Sequence, residues 1–207
     1  HISIFPWKTE VKVATFYHKN DSGIFMNWLA LETLIQNGVK NKLYPGASFA
    51  WVKKTGEMTF YSVGNLRYDL SSPIVTSQTL YDCASLTKTC PTAYLALMAI
   101  QKNMITSESL VRDILPDFQP KEEITVFHLL THTLGFKISM SGLKNETPEN
   151  IWKKLCEFKF RNKPGTSYLY CNATSIVLGR YLEKLYQRDL ALLAQDLIFT
   201  PLNMKNT

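Results

Sequence analysis

The stretch YDCASLTK, residues 81–88, decides how the rest of this chain is interpreted. It leads into a long apolar run, which predicts that Ser85 lies at the start of a helix and Lys88 one turn later. Residues three apart on a helix share a face, with about 5–6 Å between Cβ atoms, so the amine can reach the hydroxyl. A serine becomes a nucleophile when a neighbour accepts its proton, and free amides at a helix start can stabilise an oxyanion. The alternative is that Ser85 only caps the helix.

A second stretch, YCN at residues 170–172, stands between a Pro-Gly break and another helical pattern. Tyr170 and Asn172 point to the same side if the backbone is extended there. Tyr170 could then shuttle a proton, while the Asn172 amide could bind a substrate carbonyl or hold Lys88. The alternative is that Asn172 caps the following helix and that Tyr170 packs in the core.

Four stretches in this order resemble a known family, the penicillin-recognising serine hydrolases, and most closely their class C β-lactamase-like branch, which is related to D-Ala-D-Ala peptidases. They are residues 49–64, 81–88, 124–135 and 164–172, and the likeness covers roughly residues 25–207. By this resemblance Ser85 is the acylated nucleophile, and Lys88 and Tyr170 handle its proton. Asn172 binds the substrate, and neither a cofactor nor a metal is implied.

The resemblance and the pattern of elements together predict an α+β fold of the β-lactamase/transpeptidase type. Residues 1–21, with an alternating pattern at Val11–Phe16, are an unexplained N-terminal segment or linker, and residues 22–207 form the domain. Within it, residues 22–66 are the first part of an α/β lobe with a partial antiparallel sheet. Residues 67–207 form a mainly helical lobe that carries the motifs.

One departure from the family pattern concerns its third motif, a Lys or His, Thr or Ser, and Gly run on a late strand. No such run follows Tyr170, and the triplet Lys54–Gly56 precedes the nucleophile. It stands between two strand-like runs and predicts a hairpin turn in which glycine adopts a positive φ. We therefore expect a chain that lacks the C-terminal strands of the sheet and is an incomplete enzyme with an exposed sheet edge.

Hydrophobic periodicity predicts the remaining elements. The glycine of Asn37-Gly38 is a suitable stop for the first helix. Pro91 either kinks the helix that carries Ser85, if that helix starts near Ala84, or lies in its first turn at little cost. The predicted strands are 47–53 and 58–63, and the predicted helices are 24–36, 85–102, 107–114, 126–133, 148–160, 174–186 and 190–198.

Composition excludes several other classes of protein. The net charge of +6 is concentrated around the predicted helix 148–160, which indicates a solvated face because no nucleic-acid-binding motif accompanies it. The four cysteines lack metal-ligand spacing and are interpreted as free thiols. His128 and His132 are four apart on a predicted helix, but Leu129 stands where a zinc protease has glutamate, so both are assigned to packing.

The chain contains no apolar run long enough to span a membrane, the longest being Ala93–Ile100, and no signal peptide. The resemblance implies an extracytoplasmic location in the periplasm or cell envelope.

Two functional hypotheses follow. The first is a serine hydrolase that cleaves amide or ester bonds through an acyl-serine, as a D-Ala-D-Ala-type peptidase, β-lactamase or esterase. Its substrate would be a small molecule or peptide, peptidoglycan-derived or a β-lactam. The second is a non-catalytic scaffold or acyl-sensing member of the same fold, which the missing third motif favours.

Overall fold

The computed structural model of the chain describes residues 17–20, 23–26, 28–120, 122–135, 138, 143, 145–160 and 162–207. The described helices and strands form an α+β fold, as the sequence predicts. They belong to two units, one extending to Tyr81 and the other from Asp82 to Thr207. The alternating pattern predicted at Val11–Phe16 lies outside the described residues.

The first unit contains two β-hairpins and one helix. Strands β1 (Tyr17–Asn20) and β2 (Gly23–Met26) pair antiparallel, and helix α1 (Trp28–Lys40) follows them. Strands β3 (Gly46–Val52) and β4 (Met58–Gly64) form a second antiparallel pair, close to the two predicted strands. Both sheets have two strands within the described part of the chain.

Helix α1 packs against the β3–β4 hairpin through aromatic side chains. The ring centroids of Trp28 and Phe49 are 5.0 Å apart, and those of Phe49 and Tyr61 are 5.5 Å apart. The Gln36 amide also donates to the Tyr61 hydroxyl at 2.6 Å. The helix is therefore held on the hairpin by a row of aromatic contacts and one polar contact.

The boundaries predicted for the first helix, residues 24–36, are wrong. The chain first pairs as β2, and the helix begins at Trp28 and continues to Lys40. Gly38 lies inside the helix and is buried, so it does not stop it. A Cβ atom built on Gly38 would overlap the Tyr44 hydroxyl oxygen, so the glycine makes room for that ring.

The hairpin turn predicted at Lys54–Gly56 is confirmed. Gly56 has a φ of +85°, in the region that glycine adopts without steric cost. The Lys53 amide donates to the Glu57 carbonyl, and the Gly56 amide donates back to the Lys53 carbonyl, both at 2.9 Å. The triplet is therefore part of a turn between β3 and β4.

The second unit is helical. It contains a segment with wide, π-type turns (Lys88–Ala93), α2 (Tyr94–Gln101), a 3₁₀ turn (Val111–Asp113), α3 (Val126–Leu130), α4 (Pro148–Cys156), α5 (Asn172–Tyr186), α6 (Leu190–Ala194) and a second π-type segment (Gln195–Phe199). No described helix combines the length and apolar character needed to cross a bilayer.

Helix α5 supplies one wall of the core of this unit, and it packs against α3, α6 and the Lys88–Ala93 segment. Its buried stripe follows the helical period of three or four residues. The largest buried side chains of the stripe are Val177, Leu178, Tyr181 and Leu182. The core continues through buried residues of the other helices: Leu95, Ala96 and Ala99 of α2, and Val126 and Leu129 of α3.

Of the two alternatives for Pro91 the structure shows the kink, and the predicted helix 85–102 is interrupted there. Cys90 has extended backbone angles (φ −119°, ψ 111°), so regular α-helix begins only at Tyr94. Proline has no amide to donate backwards, and the Thr92 hydroxyl donates to the Thr87 carbonyl at 2.9 Å instead. The kink therefore leaves this carbonyl with a hydrogen bond.

Three further predicted helices are also shorter than expected. The helix predicted at 148–160 ends at Cys156. Residues 107–114 form only the 3₁₀ turn, because Leu110 pairs antiparallel with Thr125 in an extended conformation. The helix predicted at 126–133 ends at Leu130, and His132 has a φ of +55° beyond it. His128 and His132 therefore do not share a helix face, contrary to the prediction.

His128 caps helix α3. Its Nδ1 atom accepts the Thr125 amide at 3.1 Å, the reciprocal arm of a capping box. Burial lowers the pKa of His128, and the opposing influence of the Glu108 charge is smaller. A neutral imidazole is what this cap requires, because a protonated Nδ1 cannot accept.

Gly38→Ala is expected to destabilise the protein, although glycine to alanine inside a helix ordinarily stabilises by about 0.5–1 kcal/mol. The new methyl would overlap the Tyr44 ring, and overpacking of this kind costs about 1–3 kcal/mol. In a Tyr44→Ala background the same substitution should become stabilising. Urea denaturation of the four proteins measures both effects, and a stabilised single variant would contradict the packing role of Gly38.

His128→Gln should make stability less sensitive to acid. The pKa of His128 in the folded protein lies below 6.5. Its contribution to the free energy of unfolding is therefore fully present above pH 6.5 and is lost as the pH falls through the folded pKa. Glutamine can accept the same amide without titrating. Urea denaturation at about pH 7.5 and about pH 5 should show a smaller loss of unfolding free energy in the variant. An equal loss in both proteins would show that His128 does not contribute.

Candidate active site

Ser85 stands on an exposed turn directly before the Lys88–Ala93 segment. The preceding residue, Ala84, has a φ of +43°, a conformation that residues with a side chain rarely adopt. The Asp82 carboxylate accepts the Ala84 amide at 2.7 Å and so holds this turn. A backbone that is strained and locally fixed presents the Ser85 hydroxyl to solvent.

Lys88 reaches Ser85 as its spacing predicts. The Lys88 ammonium donates to Ser85 Oγ at 3.0 Å, and the Lys88 amide donates to the Ser85 carbonyl at 3.1 Å. The turn that joins the two residues ends before Cys90, where the backbone leaves the helical conformation. The kink at Pro91 therefore does not separate the pair.

Tyr170 meets the same hydroxyl from a distant part of the chain. Its phenol donates to Ser85 Oγ at 2.8 Å, across a separation of 85 residues. The side chain is 49% exposed, so it is not a core residue. The hydrogen bond with Ser85 lowers the pKa of Tyr170, and the nearby Lys88 ammonium, 5.3 Å from the ring centroid, lowers it further.

His132 holds the segment that carries Tyr170. The Leu169 amide donates to the His132 carbonyl at 2.9 Å, and the Cys171 amide approaches His132 Nδ1 at 3.5 Å. The imidazole also lies beside the Tyr170 ring, with 4.9 Å between centroids. Both amides that flank Tyr170 therefore point to one residue.

Asn172 is the first residue of α5, and its side chain is exposed. The helix is capped by Cys171 without any side-chain hydrogen bond, so the interpretation of Asn172 as the cap is wrong. Among the described residues, none forms a hydrogen bond with the side-chain amide of Asn172. The side chain is thus free to meet a ligand close to Tyr170.

The Ser85 amide is a further donor at the site. Within the part of the chain that the structure describes, this amide makes no hydrogen bond, whereas those of Ala84 and Leu86 are both used. An amide on the nucleophile itself is suited to meet the oxygen of an attacked carbonyl. The site therefore brings together a serine hydroxyl, a lysine amine, a tyrosine phenol and one backbone amide that is free to donate.

The sequence interpretation missed two residues that build this site. Asp82 had a usable signal, since an Asp that accepts the amide two residues later is a common turn motif. His132 had no comparable signal, because its carbonyl and Nδ1 atoms meet a segment almost 40 residues away.

No group of three or more His, Cys, Asp or Glu side chains that could hold a metal occurs among the described residues. All four cysteines are free, as the sequence predicts.

The family model described as Beta-lactamase matches residues 31–207. A curated relative, the "Putative D-alanyl-D-alanine carboxypeptidase" of Salmonella agona (strain SL483), is 26% identical over an alignment of 159 residues. The match covers 67% of this chain and 36% of the relative.

Solved structures resemble the fold. The beta-lactamase/D-alanine carboxypeptidase from Pseudomonas syringae gives a TM-score of 0.71 at 24% identity, covering 85% of this chain and 50% of that one. The octameric penicillin-binding protein homologue from Pyrococcus abyssi gives 0.72 at 25% identity, covering 87% and 44%. This chain spans half or less of the length of these proteins. With the family model matching from residue 31 to residue 207, this chain belongs to the beta-lactamase family of serine hydrolases, as the four sequence stretches predict.

Proposed function

We propose that this chain carries the acylation site of a serine hydrolase that cleaves amide or ester bonds through an acyl-serine intermediate. The observation that carries the proposal is the meeting of the Lys88 and Tyr170 side chains on one oxygen, Ser85 Oγ. A structural serine has no need of two such partners, whereas a nucleophile needs a route for its proton.

The chemistry follows from these contacts. Ser85 Oγ bonds to the substrate carbonyl carbon while its proton passes either to Tyr170 in its phenolate form or to Lys88 in its neutral amine form. The Ser85 amide supports the developing oxyanion. The same proton then passes to the departing amine or alcohol as the scissile bond breaks. Water later attacks the acyl-serine and releases the acid, with the proton path reversed. The hydrogen bond with Ser85 and then Lys88 lower the pKa of Tyr170, which makes loss of its proton easier than from a free phenol.

The substrate class is proposed from the relatives and from charge. The relatives are named as D-alanine carboxypeptidases and a beta-lactamase, so we propose a D-alanyl peptide or β-lactam as the substrate. Such substrates carry a carboxylate, which a chain of net charge +6 attracts. Asn172 is proposed to bind the substrate carbonyl, and an extracytoplasmic location would suit these substrates.

A non-catalytic role is the second candidate. In that role Ser85 could still be acylated without turnover, and the chain would act as an acyl sensor. Acylation and release must therefore be measured separately.

A fluorescent penicillin or fluorophosphonate should label the protein covalently, and Ser85→Ala should abolish the label because it removes the attacking oxygen. Ser77→Ala, which changes an exposed serine in the first unit, is the matched control and should label normally. Gel fluorescence and peptide mass spectrometry measure the outcome. Labelling that persists in Ser85→Ala would refute the proposal, and a label that is never released would favour the acyl sensor.

Lys88→Ala and Tyr170→Phe should each slow labelling by about 10²-fold or more, since each removes a proton-handling group. Tyr168→Phe is the control for Tyr170, because it removes a nearby exposed phenol that does not bond to Ser85. The second-order labelling rate is the measurement. Equal effects of the two tyrosine variants would argue against a special role for the Tyr170 hydroxyl.

Asn172→Asp should weaken labelling by penicillin by about tenfold, the equivalent of one lost hydrogen bond of about 1.4 kcal/mol. Labelling by a fluorophosphonate, which has no amide carbonyl to bind, should change little. The ratio of the two labelling rates separates substrate binding from chemistry. A parallel fall with both probes would instead assign Asn172 to the nucleophile's own environment.

A further inference from the structure

The segment that carries Tyr170 has almost no regular structure of its own. Residues 167–171 lie in neither a helix nor a strand, and Tyr168, Leu169 and Tyr170 are all exposed to a substantial degree. A phenol on such a segment would sample many positions unless other contacts fix it. The position of the Tyr170 hydroxyl therefore depends on the contacts that fix the backbone on either side of it.

His132 supplies that hold in three ways. Its carbonyl accepts the Leu169 amide at 2.9 Å, and its Nδ1 faces the Cys171 amide at 3.5 Å. Its ring lies 4.9 Å from the Tyr170 ring and meets Tyr168 edge-on at 6.3 Å. The backbone on both sides of Tyr170 is thus held by His132, and the imidazole packs against the Tyr170 ring.

The backbone of His132 supports a role beyond packing. Its φ of +55° ends helix α3 in the left-handed region, where glycine is the usual residue and asparagine the next. A histidine at this position costs conformational energy that a glycine would not. Such an outlier beside a catalytic group points to a function for the side chain.

We propose that neutral His132 is a positioning residue for Tyr170, and that its protonation releases the Tyr170 segment and switches off acylation of Ser85. This inference rests on the proposed function, since it assigns to His132 a role in the same reaction. The release follows from chemistry: an imidazolium has protons on both nitrogens, so Nδ1 can no longer accept from the Cys171 amide.

The surroundings of His132 favour the neutral form at physiological pH. Burial lowers the pKa of His132, and the positive charge of Lys88 lowers it further. The titratable groups that face the imidazole among the described residues are Lys88, Tyr168 and Tyr170, with the Cys171 amide opposite Nδ1. Protonation would therefore add a second cation beside Lys88 and break the contact with Cys171.

The test compares labelling rates across pH in three full-length proteins. In the wild type, the slope of log rate against pH should increase by about one below the pKa of His132, because one more proton then blocks the reaction. Burial and Lys88 place this pKa under 6.5. His132→Asn keeps an acceptor, suits a positive φ and cannot titrate, so its profile should not steepen. We expect its rate near neutral pH to fall by less than about tenfold, through loss of the ring contact.

His128→Gln is the matched control. It removes a second buried histidine of lowered pKa that caps α3 and makes no contact with Tyr170. Its profile should steepen as the wild type does. Steepening that persists in His132→Asn, or that is absent from the wild type, would overturn the proposal.

A readout without catalysis keeps the two proposals distinguishable. Hydrogen exchange of the Cys171 amide, followed by NMR, should be slow in the wild type and in His132→Asn but at least about tenfold faster in His132→Leu, which has no acceptor. If the wild type is never labelled at any pH, the proposed function fails, and this exchange experiment alone decides the His132 contact. Equal exchange in all three proteins would overturn that contact.

Discussion

One oxygen, Ser85 Oγ, joins two parts of the chain that are 85 residues apart. Closing a loop of that length costs about 4 kcal/mol in chain entropy by the usual logarithmic scaling. The Tyr170 hydrogen bond to Ser85 spans this loop, whereas the Lys88 bond to Ser85 is local. An exposed bond contributes about 0.5–1.5 kcal/mol, so it cannot hold the loop closed. The closure must come from packing elsewhere in the second unit.

Helix α5 provides that packing. It begins two residues after Tyr170 and packs against both α3 and the Lys88–Ala93 segment. Each large apolar side chain on its buried stripe contributes about 1.5–3 kcal/mol, so Val177, Leu178 and Leu182 together outweigh the closure cost. The geometry of the site is therefore a consequence of the core, and the hydrogen bonds at the site adjust only the last few ångströms.

The parts of this protein that the sequence predicts are those with local physical causes. The spacing from Ser85 to Lys88 is local, and so are the glycine turn at Gly56 and the kink at Pro91. The predicted helix boundaries are wrong where residues pair with another strand instead. Residues 23–26 pair as β2, so α1 begins later than predicted, and Leu110 pairs with Thr125 instead of joining a helix. The contact between Tyr170 and Ser85 is predicted by the family resemblance, and no local sequence pattern could predict it. His132 was assigned to packing because the zinc-protease signature is absent. Its contacts with Leu169 and Cys171 could not be predicted, because that segment has no periodicity.

The charge of Lys88 links the remaining features of the site. The bond with Ser85 and then the Lys88 cation lower the pKa of Tyr170, which favours its anion. Burial and then the same cation lower the pKa of His132, which favours its neutral form. One positive charge thus disfavours a second cation at His132 and favours a phenolate at Tyr170, whose ring centroid lies 5.3 Å from Lys88 Nζ. Replacing Lys88 with a neutral residue would therefore disturb both rings as well as the serine, and its effect cannot be the sum of separate contacts.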